Sequence, residues 1–302
     1  MNKKEIRTIL RSPKDLKVLT DSGNGRILET DNKQQFPIMD DIICLLKEEE
    51  REIDLGDDKF YDSNYFGERD WTDVNDIKAG VEDGLKALLN IVPKSAMIID
   101  VGSGSGRISN YIGLEGYNNA VSLDYSLPSL KMVKKNSKNV CIWGNILHLP
   151  FESNSFDFVI CSGVIHHTPD PHLAFTECVR ILKPGGIFYV RLYNKHSLYG
   201  YLYNTYGALL RLLNSNRLTR GLSDLLGFKF YKLVRKLFFN LSDREDRILK
   251  AEYGNLFIKK MVYFFSEEEI KQLMKKHKMQ IISAKTFTWH RRMHCYVGTK
   301  SY

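Results

Sequence analysis

Seven consecutive residues, Asp100-Val101-Gly102-Ser103-Gly104-Ser105-Gly106, follow the apolar run Met97-Ile98-Ile99 and open a helical segment. Glycines at a strand-to-helix turn allow tight backbone angles and let a ligand approach the main chain closely. A dinucleotide fingerprint, G-x-G-x-x-G, would need its third glycine where this chain has Arg107. Asp100 stands just before the loop, where a carboxylate would repel a pyrophosphate and suit a ligand carrying cationic groups. Asp124 ends the next strand-like run, Ala120-Val121-Ser122-Leu123, about 20 residues on. An acid there can hold both hydroxyls of a ribose.

A ligand with an adenosine ribose and a cationic, phosphate-free tail is S-adenosylmethionine. The chain resembles the class I S-adenosylmethionine-dependent methyltransferases, in the group with methyltransferase type 11 domains. The resemblance runs from about Val92 to Leu192. It rests on the glycine loop, on Asp124 with Tyr125, on Gly144-Asn145-Ile146-Leu147-His148-Leu149-Pro150, on Phe156–Ser162 leading to His166-His167, and on the turn Leu182–Gly186. It implies that Asp100, Gly102, Ser103, Gly104, Gly106, Asp124, Tyr125, Asn145, Ile146 and Ser162 bind the cofactor. Asn145 departs from the family's usual Asp; its amide oxygen can still accept from an adenine amino group, more weakly than a carboxylate.

Methyl transfer from a sulfonium is an in-line displacement, so the protein contributes mainly positioning and desolvation. A general base is needed only where the acceptor loses a proton, and His166 and His167 stand past the fourth strand at the carboxyl edge. Structural loop histidines are the alternative. Arg191 and Tyr193 end the fifth strand at the same edge, where they could meet an acidic acceptor or form a surface ion pair. No Asp/Asn-Pro-Pro-Tyr signature follows strand four, which argues against amino-methylation of nucleic-acid bases. O-, N- and C-methylation of small molecules stay open.

These residues need a scaffold. Five apolar runs separated by helix-length spacers predict a parallel, doubly wound α/β sheet. Two further runs, Gln280–Thr288 and Met293–Thr299, bring the expected Rossmann-like, mostly parallel sheet to seven strands. Ile77–Leu89 carries a helical stripe, and Ser266-Glu267-Glu268-Glu269 is a capping box opening a helix through Lys276. The expected organisation is a small N-terminal β-rich unit (1–50), a linker with helices (51–91), a cofactor core (92–193), a helical lid insertion (194–263) and a closing helix with two strands (264–302). The N-terminal ordering resembles the zinc-ribbon-like domain that precedes or partners some methyltransferases. Its Cys-Pro-x-Cys falls at Ser12-Pro13-Lys14-Asp15, so such a unit would fold without zinc.

The chain has 302 residues, 43% of them hydrophobic, enough for one large domain with additions and too apolar for a disordered class. Five scattered cysteines fit a reducing compartment and give no zinc-ligand spacing; no metal is expected. No long apolar run suggests a secretory signal, and a cytoplasmic protein is expected. The net charge of +8 is uneven: residues 1–194 sum to −5, 195–260 to +8 and 261–302 to +5. The basic end points to an anionic partner. Within it, 228–239 alternates Phe, Tyr and Leu with Lys and Arg at helical spacing. Three readings follow: a lid over the acceptor, a membrane-surface helix that would place the protein at a bilayer, or an RNA-binding surface. The leading expectation is methylation of a small or carrier-linked, anionic metabolite. An RNA methyltransferase and a non-catalytic cofactor-binding partner subunit are the alternatives.

Overall fold

The computed structural model describes residues 3–23, 25–46, 71–215, 218–233, 249–250, 253–258, 262–285 and 293–302. The expected linker over 51–70 and the basic stretch 234–239 lie outside the described residues. Each apolar run read from the sequence becomes a strand: β5 (Ile98–Val101), β6 (Ala120–Asp124), β7 (Val140–Trp143), β8 (Phe156–Ser162) and β9 (Leu182–Tyr193). β5 and β7 are buried at every residue, which is why they read as continuous apolar runs rather than alternating ones. These five strands pair in parallel in the order β7-β6-β5-β8-β9. At the far edge β10 (Met279–Lys285) and β11 (Met293–Lys300) run antiparallel, with β11 beside β9.

That seven-stranded sheet is extended by four strands from the N-terminal unit: β1 (Thr20–Asp21), β2 (Ile27–Glu29), β3 (Gln35–Met39) and β4 (Ile42–Cys44). They form an antiparallel meander whose last strand, β4, pairs in parallel with β7. The unit is therefore continuous with the sheet rather than separate. The reason is an open edge: β7 would otherwise expose a row of unpaired backbone groups. The helix α1 (Lys3–Ile9) anchors the same unit, with Ile6, Leu10, Leu28 and Phe36 buried in one cluster with Ile142, Leu149 and Phe151. The Ser12–Asp15 turn is closed by the Ser12 hydroxyl donating to the Asp15 carboxylate.

The predicted helix over Ile77–Leu89 is two helices, α2 (Val74–Gly80) and α3 (Asp83–Ile91). The break at Val81-Glu82 has a partner: Arg107 donates to the Gly80 carbonyl at 2.7 Å, satisfying a group at the helix end. These two and α4 (Arg107–Leu114) cover one face of the sheet, while α5 (Leu127–Asn136) packs near β6 and β7. On the other face, α6 (Pro171–Ile181) and α10 (Glu267–Lys276) bury Phe175, Cys178, Ile270 and Met274. At α10 Ser266 is the N-cap, its Oγ accepting from the Glu269 amide at 3.2 Å, while the Glu269 carboxylate turns to His172 and Tyr263 instead of closing the box. Between β9 and α10 lies the helical unit, with α7 (Leu198–Asn204), α8 (Tyr206–Ser215), α9 (Arg220–Ser223) continuing as a π-turn over Asp224–Lys229, and a further π-turn at Gly254–Ile258.

The Leu182–Gly186 stretch, expected as a turn before the fifth strand, is part of β9. Phe156 pairs with Leu182 and Phe158 with Ile187, so the extra residues bulge outward, with Gly185 at φ 76°.

Candidate active site

The glycine loop follows β5 directly, with φ of 75° at Gly102, 52° at Gly104 and 102° at Gly106. All three lie in the left-handed region that favours glycine. At Gly102 space is also short: an added Cβ would fall 2.7 Å from Val164 Cγ1. Gly106 is the N-cap of α4, so the helix opens at the end of the loop.

Asp124, at the carboxyl end of β6, holds this loop in place. Its Oδ2 accepts from the Gly104 amide at 2.7 Å and its Oδ1 from the Ser126 amide at 2.8 Å. The Gly102 and Ser103 amides donate to the Leu123 carbonyl at 2.8 and 3.1 Å. Burial raises the Asp124 pKa, and the amides of Ser126 and Gly104 oppose that shift. Each carboxylate oxygen keeps a second lone pair, so the acid can hold the loop and a pair of ligand hydroxyls together.

Asp100 has a partner within the fold. Its carboxylate is buried and accepts from Ser109 Oγ of α4 at 2.7 Å. Ser109 in turn accepts from Ser122 Oγ at 2.8 Å, and Asn139 Nδ2 donates to Ser122 Oγ at 3.0 Å. Asp100 thus anchors a network between β5, β6 and α4, behind the loop. Desolvation, opposed by the Ser109 hydrogen bond, lifts its pKa to about 6. The folded pKa lies above the ordinary 3.8, so the group's contribution to stability is complete below pH 3.8 and is lost as pH rises to about 6. Asp100→Asn removes that loss. The variant should gain on the order of 3 kcal/mol over the parent at about pH 8 relative to about pH 4. Denaturant melts at the two pH values measure it, and parallel pH dependences would refute the assignment.

The ends of β6 and β7 are tied together by Trp143 Nε1 donating to the Tyr125 carbonyl at 2.9 Å and the Gly144 amide to the Asp124 carbonyl at 3.1 Å. Asn145 is buried and caps the short turn Ile146–His148, its Oδ1 accepting from the Leu147 amide at 2.9 Å. Half-buried Tyr125 and buried Ile146 stand at the same edge.

At the mouth of the loop, Ser103 Oγ and Ser162 Oγ are buried without a hydrogen-bond partner, as is Glu82 Oε2. A buried polar atom left unsatisfied costs about 1–3 kcal/mol, so three beside one glycine loop suit a polar ligand.

Glu82 was not visible as a site residue in the sequence. It sits in the break between α2 and α3, where its Oε1 meets the Arg191 guanidinium and lies 3.4 Å from Arg107 Nη1. Arg191, read from the sequence as meeting either an acidic acceptor or an ion-pair partner, pairs with Glu82. The only signal was an acid before a short helix, and such acids are common.

The two histidines differ. His166 is fully buried, its ring stacked 3.7 Å from that of Tyr193 and its Nδ1 accepting from the Tyr193 amide at 3.3 Å. His167 is half-buried, with its ring centroid 5.3 Å from Tyr193. Tyr193 continues into an aromatic wall with Tyr199, Tyr203 and Phe264. The Tyr263 amide, at the end of the helical insertion, donates to the His166 carbonyl at 2.8 Å.

Comparison with known proteins agrees with this geometry. Residues 99–190 match the family described as the methyltransferase domain. An uncharacterized protein of Methanocaldococcus jannaschii is 40% identical over 105 residues, covering 35% of this chain and 44% of that protein. The sterol 24-C-methyltransferase of Schizosaccharomyces pombe is 35% identical over 107 residues, covering 32% of this chain and 28% of that enzyme. The chain thus spans less than half the length of these relatives. Among solved structures, the complex of the Haloferax volcanii Trm112 methyltransferase activator and a putative methyltransferase matches with a TM-score of 0.50 and 15% identity. That match covers 80% of this chain and 98% of that one. It shares the fold. The family match thus falls on the strands and the glycine loop that build this site, from β5 to β9.

Proposed function

We propose that the chain is an enzyme that transfers the methyl group of S-adenosylmethionine to a small or carrier-linked metabolite. The observation that carries this reading is the glycine loop held at positive φ by Asp124, with two buried hydroxyls unsatisfied at its mouth. S-adenosylmethionine supplies a methyl group on a sulfonium leaving group. Asp124 would hold the ribose hydroxyls, and Gly102, Ser103 and Gly104 would lie along the methionine portion. Tyr125, Asn145 and Ile146 would frame the adenine, where the Asn145 oxygen can accept a second hydrogen bond beside that of Leu147. Ser162 would face the reacting end.

The aromatic wall from Tyr193 to Phe264 supports an acceptor with a flat or apolar body, and the basic balance of residues 195–260 supports an anionic group on it. The related sterol methyltransferase is consistent with an apolar body. His166 holds Tyr193, which favours His167 as the residue that would take a proton where the acceptor must lose one.

The test is transfer of labelled methyl from S-adenosylmethionine into a cell extract separated into RNA, lipid and small-molecule fractions. Label in the lipid or small-molecule fraction supports the reading. Label confined to RNA replaces the acceptor class, and failure to bind S-adenosylmethionine in calorimetry overturns the enzyme assignment itself.

A further inference from the structure

The run from α9 through its π-turn to Leu233 packs Phe228 and Tyr231 against Tyr253 but leaves its leucines and Phe230 outward. A helix on a water-soluble surface normally turns its leucines inward and its polar residues outward. Here the buried positions are Ser223 and Gly227: the Ser223 hydroxyl donates to the Leu210 carbonyl at 3.3 Å, and Gly227 is pressed against Tyr253. The outward positions are Leu222, Leu225, Leu226, Phe230 and Leu233, each between 44 and 55% exposed. Small inward residues let the run lie close on α8, and the large apolar side chains are left pointing at solvent. α8 adds Leu209 and Leu212, the latter 68% exposed. So many exposed apolar side chains on consecutive helices mark an interaction surface.

Charge identifies the occupant. Exposed Lys229 and Lys232 stand among these leucines, and residues 195–260 carry a net +8 against −5 for residues 1–194. An anionic surface would attract Lys229 and Lys232 and so favour contact through the leucines around them. Apolar side chains bordered by lysines match the headgroup region of a bilayer containing anionic lipid. No helix among the described residues is long and apolar enough to cross a membrane, so the contact is peripheral.

We propose that the outward side of residues 198–215 and 218–233 docks on the surface of an anionic phospholipid bilayer. The docked face is linked to the active site by rings in succession. Phe230 meets Tyr206, Tyr206 meets Phe257 and Phe257 meets Tyr199, each at 6.4 Å between centroids. Tyr199 lies 5.1 Å from Tyr193. These rings connect the docked face to the aromatic wall at Tyr193.

Flotation of the full chain with vesicles tests the proposal. The bound fraction should be about tenfold higher on phosphatidylcholine vesicles containing about 30% phosphatidylglycerol than on phosphatidylcholine alone, and should fall with added salt. Leu222→Glu with Leu225→Glu should lower it about tenfold while the thermal melt stays unchanged. Leu212→Glu on α8 is the second variant should that pair fail to fold. Three outcomes overturn the proposal. They are no flotation on either vesicle, equal flotation of the folded variants, and a wild-type dimer that the variants dissociate without any vesicle binding, which would seat a second copy on this face. Flotation needs no methyl transfer, so loss of docking with labelling intact leaves the enzyme reading standing.

Discussion

Gly102→Ala should lower S-adenosylmethionine affinity by about two orders of magnitude, while the protein still folds. Two costs act together. The residue has φ 75°, and holding an L-residue there costs roughly 1–2 kcal/mol. The new methyl would also lie 2.7 Å from Val164 Cγ1, so either the loop or the turn after β8 must retreat. Retreat removes the loop amides from the ligand, and about 2.8 kcal/mol corresponds to the hundredfold loss. Calorimetric titration with S-adenosylmethionine measures it. Adding Val164→Ala separates the two causes: it relieves the overlap and leaves the strained φ, so the double variant should recover about half of the lost free energy. Unchanged affinity in Gly102→Ala would show that the loop does not touch the cofactor.

Asp124→Ala should weaken the cofactor by at least about tenfold. The substitution removes the acceptor for the Gly104 and Ser126 amides as well as the expected partner of the ribose hydroxyls. Each hydrogen bond to a charged group contributes roughly 1.5–3 kcal/mol, so a tenfold loss is the conservative end. A cofactor analogue without ribose hydroxyls separates ribose recognition from loop support. It should bind more weakly than S-adenosylmethionine to the parent, and the two should bind alike to Asp124→Ala. If the variant still distinguished them, another residue would hold the ribose.

Much of this site could be read directly from the residues. The loop was legible because its signal is local: three glycines in five residues, an apolar run before and a helix after. The acid at the end of the second strand was legible for the same reason, since strand length and spacer length fix which residue reaches the carboxyl edge. The helix at Ser266 was legible from its N-cap. Asp100 shows what residue type and position leave open. Its type and position suggest a residue facing the ligand, whereas its hydrogen bond runs to Ser109 behind the loop. The same limit applies to Arg191. Its position at the end of β9 was readable, but its partner comes from a break between two helices that a single apolar stripe concealed.

The basic insertion shows the limit most clearly. Apolar and basic residues alternating at helical spacing read naturally as a lid with its leucines turned inward. Within the described part of 228–239, Phe228 and Tyr231 turn to Tyr253 while Phe230 and Leu233 are exposed, and just before it Ser223 and Gly227 take inward positions. Nothing in the local pattern could select between the two, because a helix can present either side to a neighbour.

What the sequence alone determined are the features set by sterics and periodicity within a few residues: the strands, the glycine loop, the helix caps and the uneven charge. Tertiary structure alone decided which side chains meet. It placed β4 beside β7, Glu82 against Arg191, His166 beneath Tyr193 and the leucines of the helical insertion in solvent. Those choices depend on packing and register between segments far apart in the chain, where many pairings satisfy the local rules and close packing selects one.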